Sequence, residues 1–202
     1  MKLLVIILSC TLPCAFAQDV TSNPISLTIS GDSLICSGVC RTLEVSLISS
    51  NNSDHDVHVY GLKNGGPYPV SFSLSELCDT ENVGTGIGFA IYSGSTQMKP
   101  ILTTGGNRKN RRVTKEKLDS ALLKTKVDFL KSGMVLKKHE SITLEKMVPL
   151  EDFNFGPGIY YLQIAYYCGK ESLNILNLEN RNSPLTNLFQ GCATSFKIPI
   201  YN

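Results

Sequence analysis

The chain is predicted to be all-β: an antiparallel sandwich of seven to eight strands with one helical insertion. Three observations predict it. Apolar residues alternate along most of the chain instead of recurring every three or four positions, the period of half-buried strands. Turn residues punctuate the alternating runs at short intervals. A single segment breaks the pattern with helical spacing.

The runs follow in order. Ile25, Leu27 and Ile29 share one face, as do Leu43, Val45 and Leu47, and then Val57 and Val59. Val70, Phe72 and Leu74 repeat the pattern, followed by Ile87, Phe89 and Ile91. Further runs cover Ile142–Met147, Ile159–Tyr167 and Ala193–Tyr201. Asn51-Asn52-Ser53-Asp54, Asn64-Gly65-Gly66-Pro67, Ser93-Gly94-Ser95 and Gly156-Pro157-Gly158 supply the turns. The exception spans about residues 103–133. A basic stretch, Arg108-Lys109-Asn110-Arg111-Arg112, leads into an expected helix over Thr114–Lys131, with Leu118, Leu122 and Phe129 on one side and Gly133 as its stop. This insertion is expected to cover a sheet edge.

The N-terminus reads as a secretory signal peptide over residues 1–17. Lys2 supplies the positive charge, Leu3–Leu8 begin the apolar region, and Ala15-Phe16-Ala17 forms the cleavage site before Gln18. A competing lipobox reading would place a lipid on Cys10. The expected product is a single domain, residues 18–202, secreted to an extracellular or periplasmic space. No later stretch is apolar for long enough to span a membrane. The precursor carries 19 Lys and Arg against 17 Asp and Glu, net +2, and loss of Lys2 leaves +1. That balance gives no case for nucleic acid.

Five cysteines remain after cleavage, an odd number, so at least one thiol is free or bonded between chains. Cys168 ends one expected strand and Cys192 opens another, so a Cys168–Cys192 bridge is expected, contributing on the order of 3 kcal/mol. Cys36, Cys40 and Cys78 compete for a second: Cys36 or Cys40 with Cys78, or Cys36 with Cys40.

The second half carries an ordered succession. Gly88–Gly94 is followed by Val135-Leu136-Lys137-Lys138-His139-Glu140-Ser141-Ile142, then by Val148-Pro149-Leu150-Glu151-Asp152-Phe153 and Gly156-Pro157-Gly158-Ile159-Tyr160. This resembles the small Ig-like sandwiches that precede the catalytic domain of deuterolysin-type metalloproteases, and a similar layout in the bacterial intracellular proteinase inhibitor family. The resemblance covers about half the mature chain and implies an Ig-like fold. Lys138-His139 stands where the pattern has Pro-Gly, and the insertion has no counterpart. The H-E-x-x-H helix of the metalloproteases is missing, since Ile142-Thr143 follow His139-Glu140 and Ser141.

Other chemistry is sparse. Asp54-His55-Asp56-Val57-His58 is the richest polar cluster, but strand residues three apart face opposite sides, so His55 and His58 diverge. No nucleophile elbow or phosphate-binding loop is present, and no catalytic residue, cofactor or metal is expected. Asn51-Asn52-Ser53 is a glycosylation acceptor in a eukaryotic host. The expected function is protein binding by a secreted, non-enzymatic domain, through loops 62–69, 80–86 and 103–113 and basic side chains Arg108, Lys109, Arg111 and Arg112. The alternatives are a protease inhibitor, whose partner would be a protease, and a hydrolase with a site near Asp54, His55 and Asp56.

Overall fold

The computed structural model describes residues 23–36, 41–64, 66–70, 74, 78, 85–102, 127–169 and 187–202. The expected signal peptide, Cys10, Cys40, the basic stretch and most of the expected insertion lie outside them. No helix among the described residues is long and apolar enough to cross a membrane.

The described residues form eleven strands: β1 (Ile25–Ile29), β2 (Leu34–Ile35), β3 (Thr42–Asn51), β4 (Val57–Val59), β5 (Tyr68–Pro69), β6 (Thr85–Tyr92), β7 (Met134–Leu136), β8 (Ser141–Pro149), β9 (Ile159–Cys168), β10 (Gly191–Thr194) and β11 (Ile198–Tyr201). They make three sheets, ordered β1-β3-β8, β2-β11-β9-β6-β5 with β10 also on β9, and β4-β7. The fold is all-β, as expected, with two differences in detail. The strands beyond the expected count are two- and three-residue pieces. And the two-residue strands at the ends of the second sheet, β2 and β5, pair in parallel with β11 and β6, so the pairing is not wholly antiparallel.

Alternation places the core. Ile25, Leu27, Ile29, Leu43, Val45, Leu47 and Val148 from the first sheet join Ile87, Phe89, Ile91, Leu162, Ile164 and Tyr166 from the second in one buried cluster, completed by Val57, Val59 and Leu136 of the third. Burying each such side chain contributes roughly 1.5–3 kcal/mol relative to exposure.

β6 and β9 are buried on both faces toward one end. Val70 and Leu74 lie with Ala90, Tyr92, Ala165 and Tyr167 in a second cluster on the sheet's outer side. The ends of the strand expected over Val70–Leu74 are not strand: β5 stops at Pro69 and Leu74 is helical, as is Cys78, while Phe72 lies outside the described residues.

The expected run Ala193–Tyr201 is split by a bulge. Thr194 lies opposite Ala165 and Ile198 opposite Leu162, so residues 195–197 face only residues 163–164. Ser195 occupies the gap. Its N–H donates to the Ile164 carbonyl at 2.8 Å, and its hydroxyl accepts the Ile164 N–H at 3.0 Å. The extra residue reverses the phase, so Ala193 points inward before the bulge and Ile198 and Ile200 after it.

The expected Cys168–Cys192 bridge is corrected. The strands pair as foreseen, but Gly191 lies opposite Cys168 and Cys192 opposite Tyr167. Adjacent positions on a strand point to opposite faces. Cys168 therefore enters the main core as a buried free thiol, and Cys192 faces outward. There Cys192 bonds Cys78, with Cα atoms 5.2 Å apart, and pins the covering segment to the sheet. Cys36 is also disulfide-bonded, with a partner outside the described residues.

Candidate functional site

One cleft, of about 340 Å³, opens where three separated segments meet. The turn after β4 contributes Gly61 and Asn64, and the stretch into β5 contributes Gly66 and Tyr68. The start of β6 contributes Thr85 and Gly86, and the end of the insertion contributes Asp128, Phe129 and Ser132. Residues 127–131 are helical and stop before Gly133, as the sequence indicates.

A chain of polar and aromatic contacts holds these segments. The buried Tyr166 hydroxyl on β9 accepts the Tyr60 N–H at 3.2 Å and donates to the Tyr60 carbonyl at 2.9 Å. Tyr60 carries its ring against Phe129, centroids 5.4 Å apart. The next residue, Gly61, donates its N–H to the Ser132 hydroxyl at 2.8 Å, and that hydroxyl in turn donates to the Phe129 carbonyl at 2.5 Å, beside the Ser132 N–H at 3.0 Å. The helix end is thus closed by a side chain that also fixes the facing turn.

Glycine keeps the cleft open at two points. Gly61 has φ +72°, a left-handed conformation that other residues rarely adopt, and a Cβ there would sit 3.2 Å from Thr85 Cγ2. At Gly86 a Cβ would come within 3.3 Å of the Tyr68 ring and 3.4 Å of the Tyr167 hydroxyl. Those rings meet edge to face at 87°.

Burial pushes the Tyr68 phenol up to about 12, so it is neutral at physiological pH. Beneath the cleft, the Thr85 hydroxyl donates to Cys168 Sγ at 3.3 Å. Burial raises the Cys168 thiol, the Thr85 bond opposing it, and keeps the sulfur in its unreactive form. Asp128 is the only acidic or basic residue among the described residues lining the cleft. It has no ion-pair partner among the described residues, Lys131 one turn along included.

The structure gives the other sequence candidates local roles. Asp54 lies 3.4 Å from His139 at the surface. Asp56 accepts the Lys138 N–H, and the His55 carbonyl accepts from Asn51 and Ser53. His139 has φ 57°, in a turn closed by the Glu140 N–H on the Lys137 carbonyl. The described residues contain no group of three or more His, Cys, Asp or Glu placed to hold a metal. Arg108, Lys109, Arg111 and Arg112 lie outside the described residues, as do residues 80–84 and 103–113 of the expected contact loops.

Asn51 is not an open glycosylation acceptor. It is buried, its amide donates to the His55, Leu136 and Lys137 carbonyls, and its oxygen accepts from Ser53.

Sequence reading missed two features. Lys146 takes the inward position that alternation from Ile142 and Leu144 to Val148 reserves for an apolar residue. It is buried and donates to the Leu62 and Lys63 carbonyls at 2.8 and 2.9 Å, and burial lowers its pKa. A break in alternation was its only signal. The second is a row of exposed apolar side chains: Ile35, Tyr201 and Ile159 are neighbours across β2, β11 and β9, 77%, 46% and 49% exposed. No protein-family model and no curated protein matches the chain.

Proposed function

We propose that the chain is a secreted, non-enzymatic Ig-like β-sandwich that acts by binding another protein, with the cleft-bearing end as its contact surface. The sandwich reading is supported by two sheets that send alternate residues into a shared core. Secretion is supported by the leader sequence and by the Cys78–Cys192 disulfide, a bond that persists in oxidising compartments.

One observation carries the binding reading. Residues 61–68, the start of β6 and the end of the insertion converge on a single open cleft, fastened from below by Tyr166 and Ser132. Recognition concentrates on loops held by a stable scaffold, and concave sites with a few placed polar groups are where ligands seat.

The test compares partners captured from the native secreted fraction by the mature protein and by an Asn64→Arg, Asp128→Arg variant. Both positions are exposed, so the variant should melt normally. A partner held by the parent and lost by the variant supports the proposal. Equal capture by both, or none by either, overturns it. Stoichiometric loss of activity in a protease panel would replace it with a protease-inhibitor reading.

A further inference from the structure

We infer that the cleft seats a basic side chain, lysine or arginine, presented by the partner protein; this rests on the protein-binding reading and names the chemistry of the contact.

The lining selects for a cation. The walls are the Tyr68 and Phe129 rings, and Asp128 supplies the one carboxylate among the described lining residues. A lysine or arginine head near aromatic faces is attracted by the ring quadrupole, most strongly where water is partly excluded. Its N–H groups then form charge-assisted bonds to a carboxylate. Asp128 is free to make them, since no described residue pairs with it.

Other ligand classes fit worse. An anionic group would meet Asp128 with no positive charge among the described lining residues to offset it. An apolar side chain would strip water from Asp128 and return no partner, which is costly for an ionised group. A neutral polar group could bond Asn64 or Thr85 but would leave the carboxylate unanswered.

Shape agrees with charge. At about 340 Å³ the cleft has room for one long side chain. Gly86 sets its depth, because a Cβ there would press on Tyr68. The aliphatic stem of lysine or arginine suits such a slot, covering apolar wall while the head stays near the rim.

The experiment follows backbone amide shifts of the isotope-labelled mature chain. The probes are Nα-acetyl-lysine methylamide, its arginine counterpart, and the uncharged norleucine analogue. The two cationic probes should give saturable shifts at Gly61, Thr85 and Gly86, with affinities on the order of tens of millimolar for a single side chain. Norleucine should give none. Asp128→Asn should weaken the cationic probes about fivefold and leave the melting temperature unchanged. Gly86→Ala should also block them; because that site is buried, Asp128→Asn decides the matter if Gly86→Ala fails to fold.

Absence of saturable shifts, equal response to norleucine, or unchanged affinity in Asp128→Asn would overturn the inference. If the probes fail while a captured partner is still lost on changing Asn64 and Asp128, the basic-side-chain assignment falls alone. If both fail, the protein-binding reading falls with it.

Discussion

The Tyr166 hydroxyl and the Tyr60 backbone are bonded in both directions, the hydroxyl accepting at 3.2 Å and donating at 2.9 Å. The two residues are 106 positions apart. Tyr166 is fully buried and stacks on Phe189 at 5.2 Å. One phenol thus satisfies both backbone polar groups of the residue that follows β4, and fixes the turn from which the cleft begins.

Tyr166→Phe keeps the ring and removes the hydroxyl, leaving the Tyr60 N–H and carbonyl without this partner. The expected loss is about 1–3 kcal/mol, read as a lower urea midpoint at unchanged slope. A midpoint equal to the parent's would show that the pair is not needed to hold the turn.

Alkaline stability follows from the same residues. Burial raises the pKa of Tyr166, with the nearby Cys168 adding to it, and pushes Tyr68 up to about 12. A pKa raised in the folded state means that the folded protein holds protons the unfolded chain releases. That stability is fully present below the unfolded value of 10.0 and is lost as pH rises beyond it. Lys146 acts oppositely, since its lowered pKa makes stability rise as pH approaches 10.5. Tyr60 and Tyr92 are raised by burial as well, as is the Cys168 thiol, and Lys197 is lowered like Lys146. Four tyrosines and a thiol against two lysines should leave a net fall above pH 10. The share of phenolate absorbance that belongs to the buried Tyr166 should develop only together with unfolding; full phenolate absorbance in a protein that is still native would contradict it.

Two inward polar residues on β3 should behave in opposite ways. Asn51 makes five hydrogen bonds from a buried side chain, and Asn51→Ala should cost about 3 kcal/mol. Ser49 is buried with no partner for its hydroxyl, so Ser49→Ala should be neutral or stabilising by up to about 1 kcal/mol. Thermal melts of the two variants check the contrast. Protein folded in a glycosylating host should carry no glycan on Asn51, and intact mass would show one.

Non-reducing peptide mapping should recover Cys78 linked to Cys192, with Cys168 as an unmodified thiol that alkylates only after unfolding. The bond spans 114 residues, for which the loop-entropy model gives about 4–5 kcal/mol. Recovery of Cys168 linked to Cys192 would require a one-residue shift of β10 on β9.

Replacing Ile35 with Ser should move stability by less than about 0.5 kcal/mol, because its side chain stays 77% exposed. The same change at the half-buried Ile159 should cost more, about 1 kcal/mol. Retention on a hydrophobic matrix should fall. A large drop in melting temperature would mean that the row packs against something in the folded chain.

Much of this fold is legible in the alternation of Ile25–Ile29, Leu43–Leu47 and Ile87–Ile91, because facing inward or outward along a strand is a local property with period two. The pairing of β9 with the C-terminal strands is legible in the same way. Of the cleft, only its membership in loops 62–69 and 80–86 could be anticipated, from turn residues around Gly66 and glycines around Gly86. Its walls depend on Phe129 and Tyr68 meeting across distant segments, which no local pattern encodes.

What the sequence determined by itself was the β class, the inward faces and the odd thiol. What tertiary structure decided was register. One residue of offset places Cys192 opposite Tyr167, and the bulge at Ser195 reverses the phase of everything after it. Both turn on a single position, and a shift of one residue carries each side chain to the other face of the sheet. Alternation is indifferent to that choice until the opposing strand supplies hydrogen bonds and a core to satisfy.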